Sequence, residues 1–114
     1  MLERYKDCSV IVEGKRDAAA LRTLGLQRVY ILNEHQGALR ERIERIATRL
    51  TSKEPVCVLT DNDAEGRKLI AQILPILHEL GIPTDQAFRR AVHKAGLSHI
   101  EGLATFLKNS TNLF

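Results

Sequence analysis

The sequence predicts an α/β fold: a three-layer arrangement in which a central, mainly parallel sheet of four strands carries helices on both faces. Three observations support this. Short apolar, β-branched runs recur along the 114 residues, amphipathic helical patterns separate them, and the two strongest runs each end in acidic residues. Carboxylates where buried strands end are expected at the rim of a parallel sheet, the usual place for sites in open α/β folds.

Each element follows from its own pattern. Residues 8–13, with Val10-Ile11-Val12 at their centre, read as the first strand. Residues 15–24 read as a helix, with Ala18, Ala19, Leu21 and Leu24 apolar and Gly25 as a stop signal. Val29-Tyr30-Ile31-Leu32 is a second short strand, and residues 33–37 form a loop. Residues 38–50 make an amphipathic helix, because Leu39, Ile43, Ile46, Ala47 and Leu50 recur on one helical face. Thr51-Ser52-Lys53-Glu54-Pro55 breaks it.

Residues 56–60 form a third strand and residues 64–80 a long helix, with Leu69, Ile70, Ile73, Leu74 and Leu77 toward the sheet. Pro75 is expected to kink that helix, and Gly81-Ile82-Pro83 to end it. Asp85-Gln86-Ala87-Phe88 reads as a weaker fourth strand, followed by a non-periodic stretch and a short helix around 100–108. No internal repeat, linker or low-complexity tract interrupts the chain, so a single domain over residues 1–114 is expected.

Composition narrows the class. With 44% hydrophobic and 27% charged residues the chain has enough apolar side chains for a core, which argues against disorder. No stretch approaches the roughly 20 apolar residues that span a bilayer, and the first residues lack the apolar core of a signal peptide, so a cytoplasmic protein without a membrane partner is expected. Cys8 and Cys57 lie beside and within core strands, with no further cysteine to build a zinc site. They read as buried, reduced thiols. The formal charge of +3 is a mild bias toward anionic partners.

The chemistry concentrates in two motifs. Val10-Ile11-Val12-Glu13-Gly14-Lys15 closes the first strand, and Val58-Leu59-Thr60-Asp61-Asn62-Asp63-Ala64-Glu65-Gly66 closes the third. If these strands are neighbours, Glu13, Asp61 and Asp63 converge on a hard-oxygen pocket suited to Mg²⁺, which needs only one or two protein carboxylates beside water and substrate phosphate. A cation so held can stabilise charge on a transferring phosphoryl group. Glu13, apart in sequence, is either a further ligand or a general acid or base. The structural alternative is that an Asp at such a place caps the following helix, a role open to Asp63 in either case. Gly14 and Gly66 fit either close approach of backbone to a phosphate or a strand-to-helix turn with positive φ.

Glu13-Gly14-Lys15-Arg16-Asp17-Ala18 after one hydrophobic strand, and Thr60-Asp61-Asn62-Asp63-Ala64-Glu65-Gly66 after another, resemble the two motifs of the Toprim domain. That domain is shared by type IA and type II topoisomerases, bacterial primases, OLD-family nucleases, recombination proteins and 5S ribosomal-RNA maturases. The resemblance covers nearly the whole chain and is strongest to small stand-alone Toprim proteins of archaea and bacteria and to the amino-terminal part of the maturases. It implies a Toprim, Rossmann-like fold. It further implies that Glu13 is the family's general acid or base, that Asp61 and Asp63 coordinate Mg²⁺ (or Mn²⁺), and that Glu65 is the acidic residue following the pair in type IA enzymes. There the motif continues Gly-Glu, whereas here Arg67 follows Gly66, a departure from the topoisomerase arrangement.

Tyr5 and Tyr30 lie beside or inside the expected core, so a covalent link to DNA is not expected, and with no second domain supplying a catalytic tyrosine, no primase zinc module and no gate-forming region in the 114 residues, neither is autonomous topoisomerase or primase activity. The resemblance points to metal-dependent cleavage or processing of RNA or DNA phosphodiesters. A non-catalytic adaptor within a larger assembly with protein partners is the alternative. A phosphoacceptor receiver domain fits poorly, because its acidic pair follows the first strand and its acceptor the third. Four cations are expected to contact substrate: Lys15 at a helix start, and Arg89, Arg90 and Lys94 in an apparent loop, with His93 beside them. Arg42, Arg45 and Arg49 form a further basic stripe, read as a phosphate contact or as a solvated face offset by Glu41 and Glu44. His35, His78, His93 and His99 show no metal-ligand spacing and are expected not to be ligands. Glu101 reads as a helix-start residue rather than a further acid of the site.

Overall fold

A computed structural model describes residues 2–50 and 54–108, so Thr51, Ser52 and Lys53 of the expected break lie outside the described residues. Three short strands, β1 (Ser9–Val12), β2 (Val29–Ile31) and β3 (Val56–Val58), form a parallel sheet in the order β2-β1-β3. Around it lie α1 (Lys15–Thr23), α2 (Leu39–Ala47), α3 (Ala64–Glu79), α4 (Ala87–Lys94) and α5 (Leu103–Lys108).

Both faces of the sheet are covered, which is why its strands read as unbroken apolar runs rather than alternating ones. Val10, Val12, Val29, Ile31, Cys57 and Leu59 meet Ala18 and Leu21 of α1, Phe88 and Val92 of α4, and Leu103 of α5. Ile11, Val56 and Val58 face the other way, onto Ile43 and Ile46 of α2 and Ile73 and Leu77 of α3. The expected three layers are therefore present, one helical layer per face. Tyr5 stacks on Phe88 with ring centroids 4.7 Å apart, and Arg49 lies over Tyr30, so both tyrosines serve packing.

The expected fourth strand is replaced. Thr84 makes one isolated parallel bridge to Val56, and the chain then turns into α4 instead of extending through 85–88. The physical reason is that other groups already satisfy the β3 edge. Val56 N–H donates to Pro83 O and Val56 O accepts from Asp85 N. The Gln86 amide donates to Val58 O and accepts from Val58 N, both at 2.8 Å. A side-chain amide thus does the work of a ladder and caps an edge that would otherwise be open. Phe88 and Val92, four residues apart, then bury one face of a helix.

Smaller differences concern ends. Helix α2 stops at Ala47, where Thr48 Oγ1 donates to Arg45 O, rather than at Leu50. Helix α3 ends at Glu79 rather than Leu80, with Pro75 inside it on the exposed side. Among the described residues, no helix is long and apolar enough to cross a membrane. Cys57 is buried and its thiol is pushed up to about 12 by that burial, and half-buried Cys8 is also raised, first by burial and then by Asp85. Both are free.

Candidate metal centre

Because β1 and β3 are parallel neighbours, the chain leaves both at the same edge of the sheet. Glu13 follows β1 there, and Asp61 follows the extension of β3 through Leu59 and Thr60, Leu59 N–H still donating to Ile11 O at 2.8 Å. Helices α1 and α3 begin at this edge, so their amino-terminal N–H groups add positive potential. The result is an open cleft of about 530 Å³, lined among others by Glu13, Lys15, Arg16, Asp17, Asp61 and Glu101.

The loop bearing the acidic pair is held from several sides. Asp63 is the N-cap of α3, its Oδ1 accepting from Gly66 N at 2.7 Å. Thr60 Oγ1 donates to Gly66 O at 2.7 Å. A Cβ added to Gly66 would lie 1.9 Å from Asp61 O, so glycine is required because the first turn of α3 packs directly on this loop. That corrects the expectation of a positive φ at Gly66, which lies in the first turn of α3. Gly14 has an extended φ of −133°, and an added Cβ would meet only Asp17 Oδ2, at 3.9 Å. From beneath, buried Arg89 donates to Thr60 O, to Thr60 Oγ1 at 2.9 Å and to Asp61 O at 3.5 Å. From the other side, Ile100 N donates to Asp61 Oδ1 and Asn62 N to Ser98 O, both at 2.7 Å.

Electrostatics mark the cleft as an acid cluster. The Glu13 carboxyl is raised above its ordinary value by burial and then by repulsion from Asp17, Asp61, Asp63 and Glu65. Asp17 is raised too, chiefly by burial, although its Oδ2 accepts from Gly14 N at 3.1 Å in capping α1. Within this cluster, one ligand atom each from Asp61, Asp63 and His99 lies within 4.8 Å of the others. Glu13 and Glu65 are outside that tightest group among the described residues.

Glu13, Asp61 and Asp63 are thus brought to one edge, and Lys15 lines the same cleft. Glu65 is exposed in the first turn of α3. The basic residues 89–94 lie on a helix, not in a loop. Arg90 and Lys94 are exposed there, while Arg89 is buried against the Asp61 loop and is not part of an exposed patch. Of the second basic stripe, Arg42 donates to Asn33 Oδ1 at 3.0 Å and Arg49 covers Tyr30, which ties α2 to the end of β2. Asp17, His99 and Glu101 were not expected here. Asp17 carries no site role in the sequence reading, His99 is expected there not to be a ligand although its ring nitrogen lies with Asp61 and Asp63, and Glu101 reads as a helix start. Asp17, inside the Glu13 motif, has a local signal that points to it.

A family model described as Toprim domain matches residues 9–95. The chain belongs to the Toprim family. It is 31% identical over 103 residues to a UPF0292 protein of Methanocaldococcus jannaschii, covering 86% of this chain and 77% of that one. A UPF0292 protein of Pyrococcus abyssi is 31% identical over 100 residues, covering 88% and 72%. A solved structure of a protein from Aquifex aeolicus superposes with a TM-score of 0.73 at 26% identity, covering 88% of this chain and 89% of that one. The family ties this Toprim fold to metal binding and to nucleic-acid-related function. The donor set fits a divalent cation. One oxygen of Asp61 and one of Asp63 are fixed by backbone N–H groups, so each carboxylate is oriented with its second oxygen left to ligate.

Proposed function

We propose that this Toprim protein performs Mg²⁺-dependent phosphodiester chemistry on RNA or DNA, as a nuclease or RNA-processing factor, with Mn²⁺ able to replace Mg²⁺. One observation carries the reading. The carboxylates of Glu13 and Asp61 leave adjacent parallel strands into a single cleft that Lys15 and Arg16 also line. Asp61 and Asp63 hold the cation, with Glu65 at the margin of the set. When bound, the cation supplies charge stabilisation to the phosphoryl group.

The other roles belong to the chain itself. The carboxyl of Glu13, raised by burial and by the neighbouring acids, suits a group that holds a proton and gives it up toward the attacking or leaving oxygen. Lys15, at the first turn of α1, orients the phosphate backbone, with exposed Arg90 and Lys94 extending the contact. Arg89 works through the Asp61 loop rather than on substrate.

A non-catalytic adaptor is the second reading, favoured by the capping duty of Asp63 and the backbone bond to Asp61, which keep both acids structurally employed without chemistry. A panel of single-stranded, duplex and structured RNA and DNA, incubated with Mg²⁺ or Mn²⁺, separates the two. The nuclease reading expects a product that falls by roughly 100-fold or more in Glu13→Gln and in the Asp61→Asn/Asp63→Asn double variant, with neither variant unfolded under the assay conditions. Binding without cleavage under every metal selects the adaptor, and cleavage that survives all three changes removes these acids from the chemistry.

A further inference from the structure

We infer that His99 is a nitrogen ligand of the cation held by Asp61 and Asp63, so that this centre binds a later first-row ion such as Co²⁺ more tightly than the Mg²⁺ of the proposed chemistry. The inference rests on the metal reading above and adds to it a ligand and a selectivity.

Three features of the geometry agree. The first is distance. His99 Nε2 lies 3.6 Å from Asp63 Oδ2. That is too long for a hydrogen bond, whose N–H···O range is about 2.7–3.2 Å. It is close to the spacing of two donors that share one cation at bond lengths of about 2.0–2.2 Å. A ligand atom of Asp61 completes the set within 4.8 Å.

The second feature is orientation. The other ring nitrogen, Nδ1, is 2.9 Å from Ser98 Oγ. With its proton on Nδ1 and donated to that hydroxyl, the neutral ring turns its Nε2 lone pair toward the acidic pair. A partner for the second nitrogen is the usual support of a ligating histidine, because it fixes both tautomer and ring direction.

The third feature is placement by the backbone. The residues on both sides of His99 are tied to the metal loop, Ser98 O accepting from Asn62 N and Ile100 N donating to Asp61 Oδ1, each at 2.7 Å. His99 is therefore carried against the loop by two hydrogen bonds that do not involve its ring. The ring itself is 60% exposed, so burial of the imidazole does not account for this bracketing.

The chemical consequence follows from donor type. Mg²⁺ takes oxygen ligands and keeps its waters, whereas imidazole favours later first-row ions. Calorimetric titration of the full chain with Co²⁺ and with Mg²⁺, alongside the visible absorption of bound Co²⁺, tests it. His99→Ala is expected to weaken Co²⁺ binding by about tenfold or more and Mg²⁺ by less than about twofold, and to shift the Co²⁺ band. Ser98→Ala is expected to weaken Co²⁺ by a few-fold only. His99→Gln provides the same comparison if the alanine variant melts early.

Loss of both metals in equal proportion, or of neither, overturns the assignment of His99 while leaving the carboxylate site standing. A wild-type protein that binds neither ion in a manner abolished by Asp61→Asn overturns both this inference and the metal reading beneath it.

Discussion

Glu13 shows how one side chain records the electrostatics of the cleft. Burial and the carboxylates of Asp17, Asp61, Asp63 and Glu65 all act in the same direction, disfavouring its charge. The folded protein therefore keeps the Glu13 proton to higher pH than the unfolded chain does. Stability contributed by this residue is fully retained below the ordinary glutamate value of 4.5 and is lost as pH rises through the raised folded value. Glu13→Gln removes that loss. In metal-free buffer the variant is expected to melt above the wild type at pH 7 and level with it at pH 4, as read by scanning calorimetry. A gain of equal size at both pH values would mean that packing, not ionisation, produced it. Arg89 shows the complementary case, a cation buried so that its donors reach the carbonyls of Thr60 and Asp61 rather than a ligand. Sequence placed it among exposed contacts because a basic cluster in a non-periodic stretch carries no sign of which member turns inward.

At the scale of elements, what was legible was what is local. The strands show as apolar runs because both faces of the sheet are covered, and the Asp61-x-Asp63 pair shows because its residues are adjacent in the chain. Helix α4 was hidden because Asp85-Gln86-Ala87-Phe88 reads as a weak strand and the stretch after it as non-periodic. Nothing in the sequence tells that a Gln86 side chain will occupy the β3 edge. The approach of His99 and Glu101 to the cleft was hidden for a different reason. It depends on bonds from Ile100 to Asp61 and from Asn62 to Ser98, across a long stretch of chain with no periodic signature. The junction between the Asp61 loop and α3 offers a test of this packing. Gly→Ala within a helix ordinarily gains up to about 1 kcal/mol. At Gly66 the sign reverses, because the added methyl would sit 1.9 Å from Asp61 O. Gly66→Ala is expected to cost about 1–3 kcal/mol, lowering the melting temperature by roughly 4–8 °C per kcal/mol. It is also expected to weaken metal binding by displacing Asp61, and a variant as stable as wild type would contradict the close contact.

The whole molecule sets a net charge of +3 against a cleft in which carboxylates gather, so its cations must offset local repulsion before a polyanion can approach. Lys15 and Arg16 are placed to do so, since both line the cleft at the start of α1 and their charges lie with the helix N-terminus. Arg40 is a contrasting cation on α2, already matched by Glu44 and Glu79. Binding of a nucleic-acid strand should therefore depend on salt in proportion to the phosphates these groups neutralise. Each neutralised phosphate contributes about 0.7 to the slope of log K against log salt for single strands, and about 0.9 for duplex. Lys15→Ala and Arg16→Ala are each expected to reduce the slope by about one such increment, while Arg40→Ala leaves it unchanged. Asp61→Asn, assayed without metal, is expected to tighten binding because it removes a negative charge facing the phosphates, and the same change should weaken binding once Mg²⁺ is supplied. Fluorescence anisotropy across a salt series measures all four. A reversal on adding metal at Asp61 together with a slope change at Lys15 would place the phosphate backbone at the carboxyl edge of the sheet. Equal effects from Arg40 and Lys15 would place it elsewhere.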